Sequence, residues 1–422
     1  MSLFQLISLI VASASAGAGA AGAYVALTAR RRTTSAQRFM AVRSKLSSAR
    51  AELTEACLAA HKEYRHDPGI PLLQKPGWIP GSPLDLGDVS LSIDRQESSR
   101  IALVEAQARL LRYWPLTEGG THIGSYSDAI EIFARPSLWA NGRSYRLMSV
   151  RSEDELQSEA ELALSFTLAN YFDMINTSEP LGYELAARLV DGRSLRPVKG
   201  RYRRWLGDPF AFDRRCALPG INTLTVRRGA EGAYFFLHDR RASAVATAMG
   251  AIHVAPAREF QPTSGLRSAG VDQDFDIWHS VLRSYSEEFL GVDSSQARRG
   301  ATYNYAEDPP YSELDTMRRN HDLEIWFLGI GLDPVTWKPE ILTVVVFEET
   351  AFNRVFGPML SENSQGPFVR MRDDNSGYAG LLFTRDIVKE YEHSSHTLPA
   401  GRACLSLAWR WRKVLKIPIA EL

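Results

Sequence analysis

The sequence is poor in cysteine: Cys57, Cys216 and Cys404 are the three among 422 residues. No two of them form a CxxC pair, so a zinc ribbon or a thioredoxin-type redox site has no support. Three widely separated thiols indicate reduced cysteines in a reducing compartment. Residues 67–206 also lack a P-loop, an HExxH pair and a GxSxG elbow, so no standard catalytic motif marks this part of the chain.

An excess of charge of either sign is missing too, because 49 Lys and Arg residues balance 49 Asp and Glu residues. A nucleic-acid partner is therefore not expected. Seven of the basic residues lie in residues 1–51, which contain no acid, and the other 42 leave residues 52–422 with a formal charge of −7. A hydrophobic fraction of 45% excludes wholesale disorder, and the length predicts two or three domains.

The amino terminus has no charged side chain from residue 2 to residue 29, and Arg30–Arg32 follow at once. Such a run is long enough to cross about 30 Å of hydrocarbon. A secretory signal normally carries its positive charges before the apolar run, so a retained anchor is favoured over a cleaved signal. We expect residues 3–29 to contact the lipid bilayer as a single-pass helix at the cell membrane, with the bulk of the chain cytoplasmic.

Gly17–Gly22 matches the GxGxxG pattern, but no strand precedes it, so a dinucleotide loop is not expected. Small residues recur every four positions at Ser15, Gly19 and Ala23, a spacing that lets membrane helices approach closely. Residues 33–66 then show the apolar spacing of an amphipathic stalk helix. A homodimer through the membrane helix and the stalk, and packing of the stalk against its own domain, both stay open.

We expect an α+β chain in four parts: an anchor at 1–32, the stalk at 33–66, a mixed α/β region at 67–210 and a further domain at 211–422. In the mixed region, Ser152 and Glu155 have the spacing of a capping box, which predicts a helix that runs to Phe172. The basic residues within 199–204 are interpreted as a solvated linker rather than a phosphate or nucleic-acid site.

Beyond residue 210 the pattern changes to strands separated by turns. It predicts strands at Ala233–His238, Leu323–Leu332 and Ile341–Phe347. Between the first two, Asp276–Leu290 has an apolar stripe at helical spacing, and Gly291 follows as a helix terminator. This predicted helix carries two adjacent acids at its end.

The two acids are Glu287 and Glu288, and adjacent carboxylates can hold Mg²⁺ or Mn²⁺ in a shell of oxygen ligands. Arg283 lies one turn earlier, where a guanidinium can pair with a carboxylate. The segment Arg283–Gly291 resembles the helix of the Nudix box. The resemblance implies metal-binding and catalytic roles for Glu287 and Glu288, with Arg283 orienting Glu287.

The wider chain is similar to actinobacterial regulatory Nudix-like proteins, with the membrane anchor as an addition. The resemblance implies a Nudix-like α/β/α sandwich in the C-terminal half, residues 211–422. The segments that carry it outside the helix are Pro76–Pro80, Tyr171–Asp173, His253–Pro256 with Phe260–Pro262, and Phe327–Asp333.

The sequence departs from the Nudix pattern at several metal-binding positions. Ser284 replaces the Glu that directly follows the box arginine, and Phe275 stands where an upstream Glu is usual. Asp274 or Asp276 is a candidate for the missing oxygen ligand. The sequence therefore lacks part of the ligand set that the Nudix pattern implies for the metal site.

His253, Glu259 and Arg240 are the candidate ligand-binding residues near the helix, although a structural histidine at a strand end is the common alternative for His253. We expect binding of a nucleotide or nucleoside-diphosphate-type small molecule, in a sensor or regulatory role. Mg²⁺-dependent hydrolysis of nucleoside diphosphates linked to another group is the alternative, and a non-catalytic scaffold is the second alternative.

Overall fold

The computed structural model describes residues 32–95, 101–136, 139–155, 161–198, 200–239, 251–263, 268–292, 303–357, 362–363, 366–369 and 380–419. Within these ranges the chain is a mixed α/β protein. The helices are α1 (32–48), α2 (Arg50–Ala60), α3 (Ile101–Leu110), α4 (Tyr126–Phe133), α5 (Tyr171–Thr177), α6 (Pro180–Val190), α7 (Arg201–Leu206), α8 (Ser268–Gln273), α9 (Ile277–Glu288), α10 (Tyr311–Arg319), α11 (Glu349–Phe356), α12 (Arg385–His393) and α13 (Pro399–Arg410).

The strands belong to one large sheet, one smaller sheet and two short pairs. They are β1 (Leu84–Asp85), β2 (Val89–Asp94), β3 (Arg143–Ser152), β4 (Leu162–Asn170), β5 (Gly220–Gly229), β6 (Gly232–Phe235), β7 (Leu237–Asp239), β8 (Ile252–Val254), β9 (Ala257–Glu259), β10 (Leu323–Leu332), β11 (Pro339–Glu348), β12 (Glu362–Asn363), β13 (Gly366–Pro367) and β14 (Leu381–Leu382).

The large sheet has the strand order β1-β10-β11-β5-β6-β14, and β9 also pairs with β5. Strands β5 and β11 run parallel, and their neighbours pair antiparallel. Both faces of β11 are buried: Leu342, Val344 and Val346 pack into one hydrophobic cluster, and Val345 and Phe347 pack into the other. Burial on both faces explains the nearly continuous apolar run of this strand. Helix α9 lies on one side of the sheet, and α13 lies on the other.

The predicted helix after Ser152 is wrong. A short 3-10 turn at Glu153–Glu155 follows β3, and its Glu155 carboxylate accepts a hydrogen bond from the Ser152 amide at 3.3 Å, as half of a capping box would. Residues from Leu162 onward then form β4, which pairs with β2 on one side and β3 on the other. Pairing on both sides favours a strand over a helix for this apolar run.

The basic cluster at 199–204 is not a solvated linker in its described part. Residues 201–206 form α7, in which Tyr202 and Arg203 are buried. The Tyr202 hydroxyl donates to the Thr177 carbonyl at 2.6 Å, so α7 packs against the end of α5.

The predicted fold class and localisation need a correction at the amino terminus. In the ranges that the structure describes, no helix has the length and apolar character needed to cross a bilayer. Helices α1 and α2 carry charged side chains and bury Phe39, Val42 and Leu53 against the rest of the chain. The predicted anchor at 3–29 lies outside the described residues. The predicted single transmembrane helix and single-pass membrane location are not supported, and the fold class is mixed α/β.

The stalk packs against its own chain, which is one of the two interpretations left open by the sequence. The Phe39 ring lies 5.8 Å from Tyr126 and 5.5 Å from Tyr183. Further along, β1 pairs with β10, so residues on both sides of position 210 share one sheet and one core. The boundaries at 66 and 210, and pairing with a second copy, stay predictions.

Candidate functional site

Helix α9 forms as the sequence predicts. The Asp276 side chain caps its amino terminus by accepting a hydrogen bond from the His279 amide at 2.9 Å. Gly291 follows its end with a φ of +66°, a conformation that glycine adopts without strain. Part of the polar face of α9 is also buried: Arg283 and Glu288 lie in the interior together with the apolar stripe, whereas Glu287 is 28% exposed. Their roles therefore depend on the groups packed around them.

Glu288 is enclosed, with 3% of its surface exposed. Its carboxylate accepts a hydrogen bond from the Ala257 amide at 3.1 Å and lies 3.2 Å from Nδ1 of the fully buried His238. Strand β9 and helix α9 are thereby joined through one side chain. A carboxylate held in this way ties two elements together.

Glu287 faces the surface, with 28% of its side chain exposed. Its Oε1 atom accepts a hydrogen bond from Arg258 Nη1 at 3.2 Å. Burial disfavours the charge of Arg258, but the carboxylates of Glu287 and Glu288 together favour it, and the pKa of Arg258 is raised above its ordinary value. Arg258 therefore remains a cation at the edge of the site.

Arg283 contacts a different acid from the expected one. Its Nη1 atom lies 3.2 Å from Asp274, and its Nη2 atom donates to the Gln261 carbonyl at 3.0 Å. Asp274 also accepts from the Thr263 amide at 2.7 Å and from the Tyr305 hydroxyl at 2.6 Å. Arg283 and Asp274 thus anchor the segment before α9.

The described residues do not fit a Mg²⁺ site as they are placed. Mg²⁺ requires near-octahedral oxygen ligation, usually with carboxylates that are open to water. Asp274 and Glu288 are buried and held by other donors, and the Ser284 hydroxyl donates to the Ser280 carbonyl at 2.8 Å. Across the described ranges there is no group of three or more His, Cys, Asp or Glu side chains arranged to hold a metal ion.

His253 and Glu259 lie apart from the Glu287–Arg258 pair. Successive side chains of a strand point to opposite faces, so Arg258 faces α9 while Glu259 faces Lys338, 3.2 Å away. His253 Nε2 lies 2.8 Å from the Asn222 side-chain oxygen. The structure therefore divides the predicted site residues between two faces of β9, and Arg240 lies outside the described residues.

We call the second group the strand cluster, which consists of Asn222, His253, Glu259, Lys338 and Glu340. Asn222 Nδ2 donates to Glu340 at 2.8 Å, and the Lys338 ammonium lies 3.8 Å from Glu340. Burial raises the pKa of Glu259 to about 7, and Lys338 opposes this effect only in part. The carboxylates of Glu259 and Glu340 share the single ammonium of Lys338, so one positive charge cannot neutralise both acids.

Three members of the strand cluster are not among the residues predicted from the sequence. Asn222, Lys338 and Glu340 stand beside or inside apolar strands that are buried on both faces. A polar residue within such a run is unfavourable without a partner. A polar residue in or beside a strand that is buried on both faces is therefore the sequence feature that can identify Asn222, Lys338 and Glu340.

No protein-family model matches the chain, and the comparison with curated proteins finds no match. The resemblance to the Nudix box therefore rests on the residues quoted above.

Proposed function

We propose that the α9 region binds a nucleotide or nucleoside-diphosphate-type ligand without hydrolysing it, as a sensor or regulatory module. The observation that carries this proposal is the position of Glu288. Its carboxylate is buried against the Ala257 amide and His238, which leaves it tied to the protein rather than open to a metal ion.

Arg258 is the proposed phosphate contact. Its guanidinium is charged, its side chain is 15% exposed, and its ion-pair partner Glu287 is 28% exposed. A diphosphate offers stronger acceptors than one carboxylate and can replace Glu287 on Arg258.

The Tyr303 side chain lies near this pair. Tyr303 is half-buried and lies close enough for its hydroxyl to interact with the charges of both Arg258 and Glu287. Its ring centroid lies 5.2 Å from that of Tyr311. A nucleobase can stack on such a ring beside the phosphate-binding arginine. His253 and Glu259 remain predicted ligand contacts on the other face of β9.

Hydrolysis assisted by Mg²⁺ or Mn²⁺ is the second candidate, because Glu287 is partly exposed and adjacent to Glu288. Metal binding would then require Glu287 to break its ion pair with Arg258. It would also require Glu288 to break its hydrogen bond with the Ala257 amide. The scaffold interpretation is the remaining candidate.

The experiment uses the full chain with a panel of nucleoside diphosphate derivatives, in the presence of Mg²⁺ or Mn²⁺. Thermal unfolding reports binding, and chromatography of the nucleotides reports turnover. We expect a saturable rise in Tm without product, and loss of that rise in Arg258→Met. Arg319→Met, whose side chain is 69% exposed in a surface pair, is the matched control and should keep the response.

Two results would contradict the proposal. Metal-dependent turnover that is lost in both Glu287→Gln and Glu288→Gln would establish the hydrolase. A chain that neither binds nor turns over any member of the panel would favour the scaffold.

A further inference from the structure

A surface cavity of about 250 Å³ lies between residues 66–80, which precede β1, and the carboxyl end of α13. Its lining combines basic, acidic and apolar side chains and includes no residue of α9, of β9 or of the strand cluster. The cavity is therefore a separate place in the molecule from the proposed nucleotide site.

The wall formed by residues 66–80 is held in place by the fold. The Ile330 amide donates to the Trp78 carbonyl at 3.0 Å, so this segment is fixed to β10. Within the segment, Gln74 lines the cavity, is 1% exposed and donates from its side-chain amide to the Asp67 carbonyl at 3.2 Å. A cavity whose walls are already ordered requires less free energy for ordering when a ligand binds.

The Asp67 carboxylate at the cavity is already neutralised. It forms a two-point ion pair with Arg410, in which Oδ2 accepts from Nη1 and Oδ1 accepts from Nη2 at 3.1 Å. The Gly69 amide also donates to Oδ1, at 3.2 Å. The pair fixes the orientation of the Arg410 guanidinium but uses only two of its five N–H donors, and the side chain stays 40% exposed. Arg410 therefore keeps donors for a further acceptor.

Two other basic side chains, His66 and Lys75, line the cavity, and both are exposed. The Lys75 ammonium lies 5.1 Å from the centroid of the Phe210 ring. Within the described ranges this ammonium pairs with no carboxylate. The lining thus has an excess of positive charge, because Asp67 is matched by Arg410 and Lys75 is additional.

We infer that this cavity binds a small organic anion through a carboxylate or phosphate group. Lys75, Arg410 and His66 supply the donors, since charged donors make strong hydrogen bonds to such oxygens. Ile79 and Pro80 line the same cavity and offer an apolar surface to the rest of the ligand. Sites for drug-sized molecules occupy about 300–1,000 Å³, so a volume of about 250 Å³ favours a ligand smaller than a nucleotide.

The test follows Lys75 directly in the wild-type full chain. An amine-reactive ester labels surface lysines, and mass spectrometry of the peptides measures the labelling rate at each lysine. We expect phenyl phosphate or benzoate to slow the labelling of Lys75 in a saturable way and to leave the exposed Lys389 unchanged. Benzyltrimethylammonium, a cation of similar size, should protect neither lysine, because it carries the wrong charge.

Calorimetric titration with the protecting anion then measures its Kd. The Kd should weaken at least about tenfold in Lys75→Met, as expected for the loss of a charged hydrogen bond, and stay unchanged in Lys389→Met. Absence of Lys75 protection by both anions would overturn the inference, as would equal protection by the cation or an unchanged Kd in Lys75→Met. Arg258→Met should keep the response to the anion, so this outcome is independent of the proposed nucleotide site.

Discussion

At the scale of single residues, the roles of the acids on α9 follow from their neighbours. Glu287 and Glu288 are adjacent in sequence, yet one faces Arg258 at the surface and the other is enclosed by Ala257 and His238. The sequence indicates the acids and their helix. It does not indicate which side chain is buried, because this depends on the position of β9 beside α9.

Asp274→Asn tests the anchoring of the segment before α9. The substitution leaves the fully buried Arg283 guanidinium without its carboxylate partner. Breaking a buried pair in this way is expected to lower the free energy of unfolding by about 3–5 kcal/mol.

Urea denaturation measures the change. Asp322→Asn is the matched control, because Asp322 pairs with Arg354 at the surface, and its effect should stay below about 1 kcal/mol. Equal effects of the two substitutions would show that the Asp274–Arg283 pair is not buried as described.

Glu259→Gln tests the strand cluster through pH. The pKa of Glu259 is raised to about 7 in the folded chain from an ordinary value of 4.5, so the folded state binds its proton more tightly than the unfolded state. Its contribution to stability is fully present below about pH 4.5 and is lost as pH rises through about 7.

The wild-type chain should therefore lose more stability between about pH 5 and about pH 8 than Glu259→Gln does. Denaturant titrations at the two pH values measure the difference, with the exposed Glu313→Gln as control. Identical pH dependence in the wild type and Glu259→Gln would refute the raised pKa.

At the scale of elements, helix α9 and strands β10 and β11 are predictable from local patterns. The cap Asp276, the apolar stripe and Gly291 together define α9. Strand β4 is not predictable in this way, because a mostly apolar segment of nine residues fits a buried helix as well as a strand. Pairing with β2 and β3 makes this segment a strand. Such long-range pairing cannot be inferred from the local spacing of apolar residues.

Asp276→Ala tests whether α9 is held by its amino-terminal cap. Loss of the hydrogen bond to the His279 amide should cost about 1 kcal/mol of unfolding free energy. Asp276→Asn keeps a good capping side chain and should retain most of the stability. Equal losses in the two variants, measured by urea denaturation, would argue against the cap.

At the scale of the whole molecule, one core joins the N-terminal helices, the middle region and the C-terminal half. The formal charge of −7 for residues 52–422 remains compatible with local cationic positions, such as Arg258, whose side chain is 15% exposed. Global charge therefore does not identify the ligand. The local surroundings of each arginine have to be known from the fold.

Calorimetric titration of the full chain with a nucleoside diphosphate in EDTA tests the central claim most directly, because it separates binding from metal-dependent chemistry. The account predicts saturable binding of one ligand per chain in EDTA, with a Kd that weakens at least about tenfold in Arg258→Met, as expected for the loss of a charged hydrogen bond. Binding that requires Mg²⁺ and is accompanied by product would contradict it, as would binding that is unchanged in Arg258→Met.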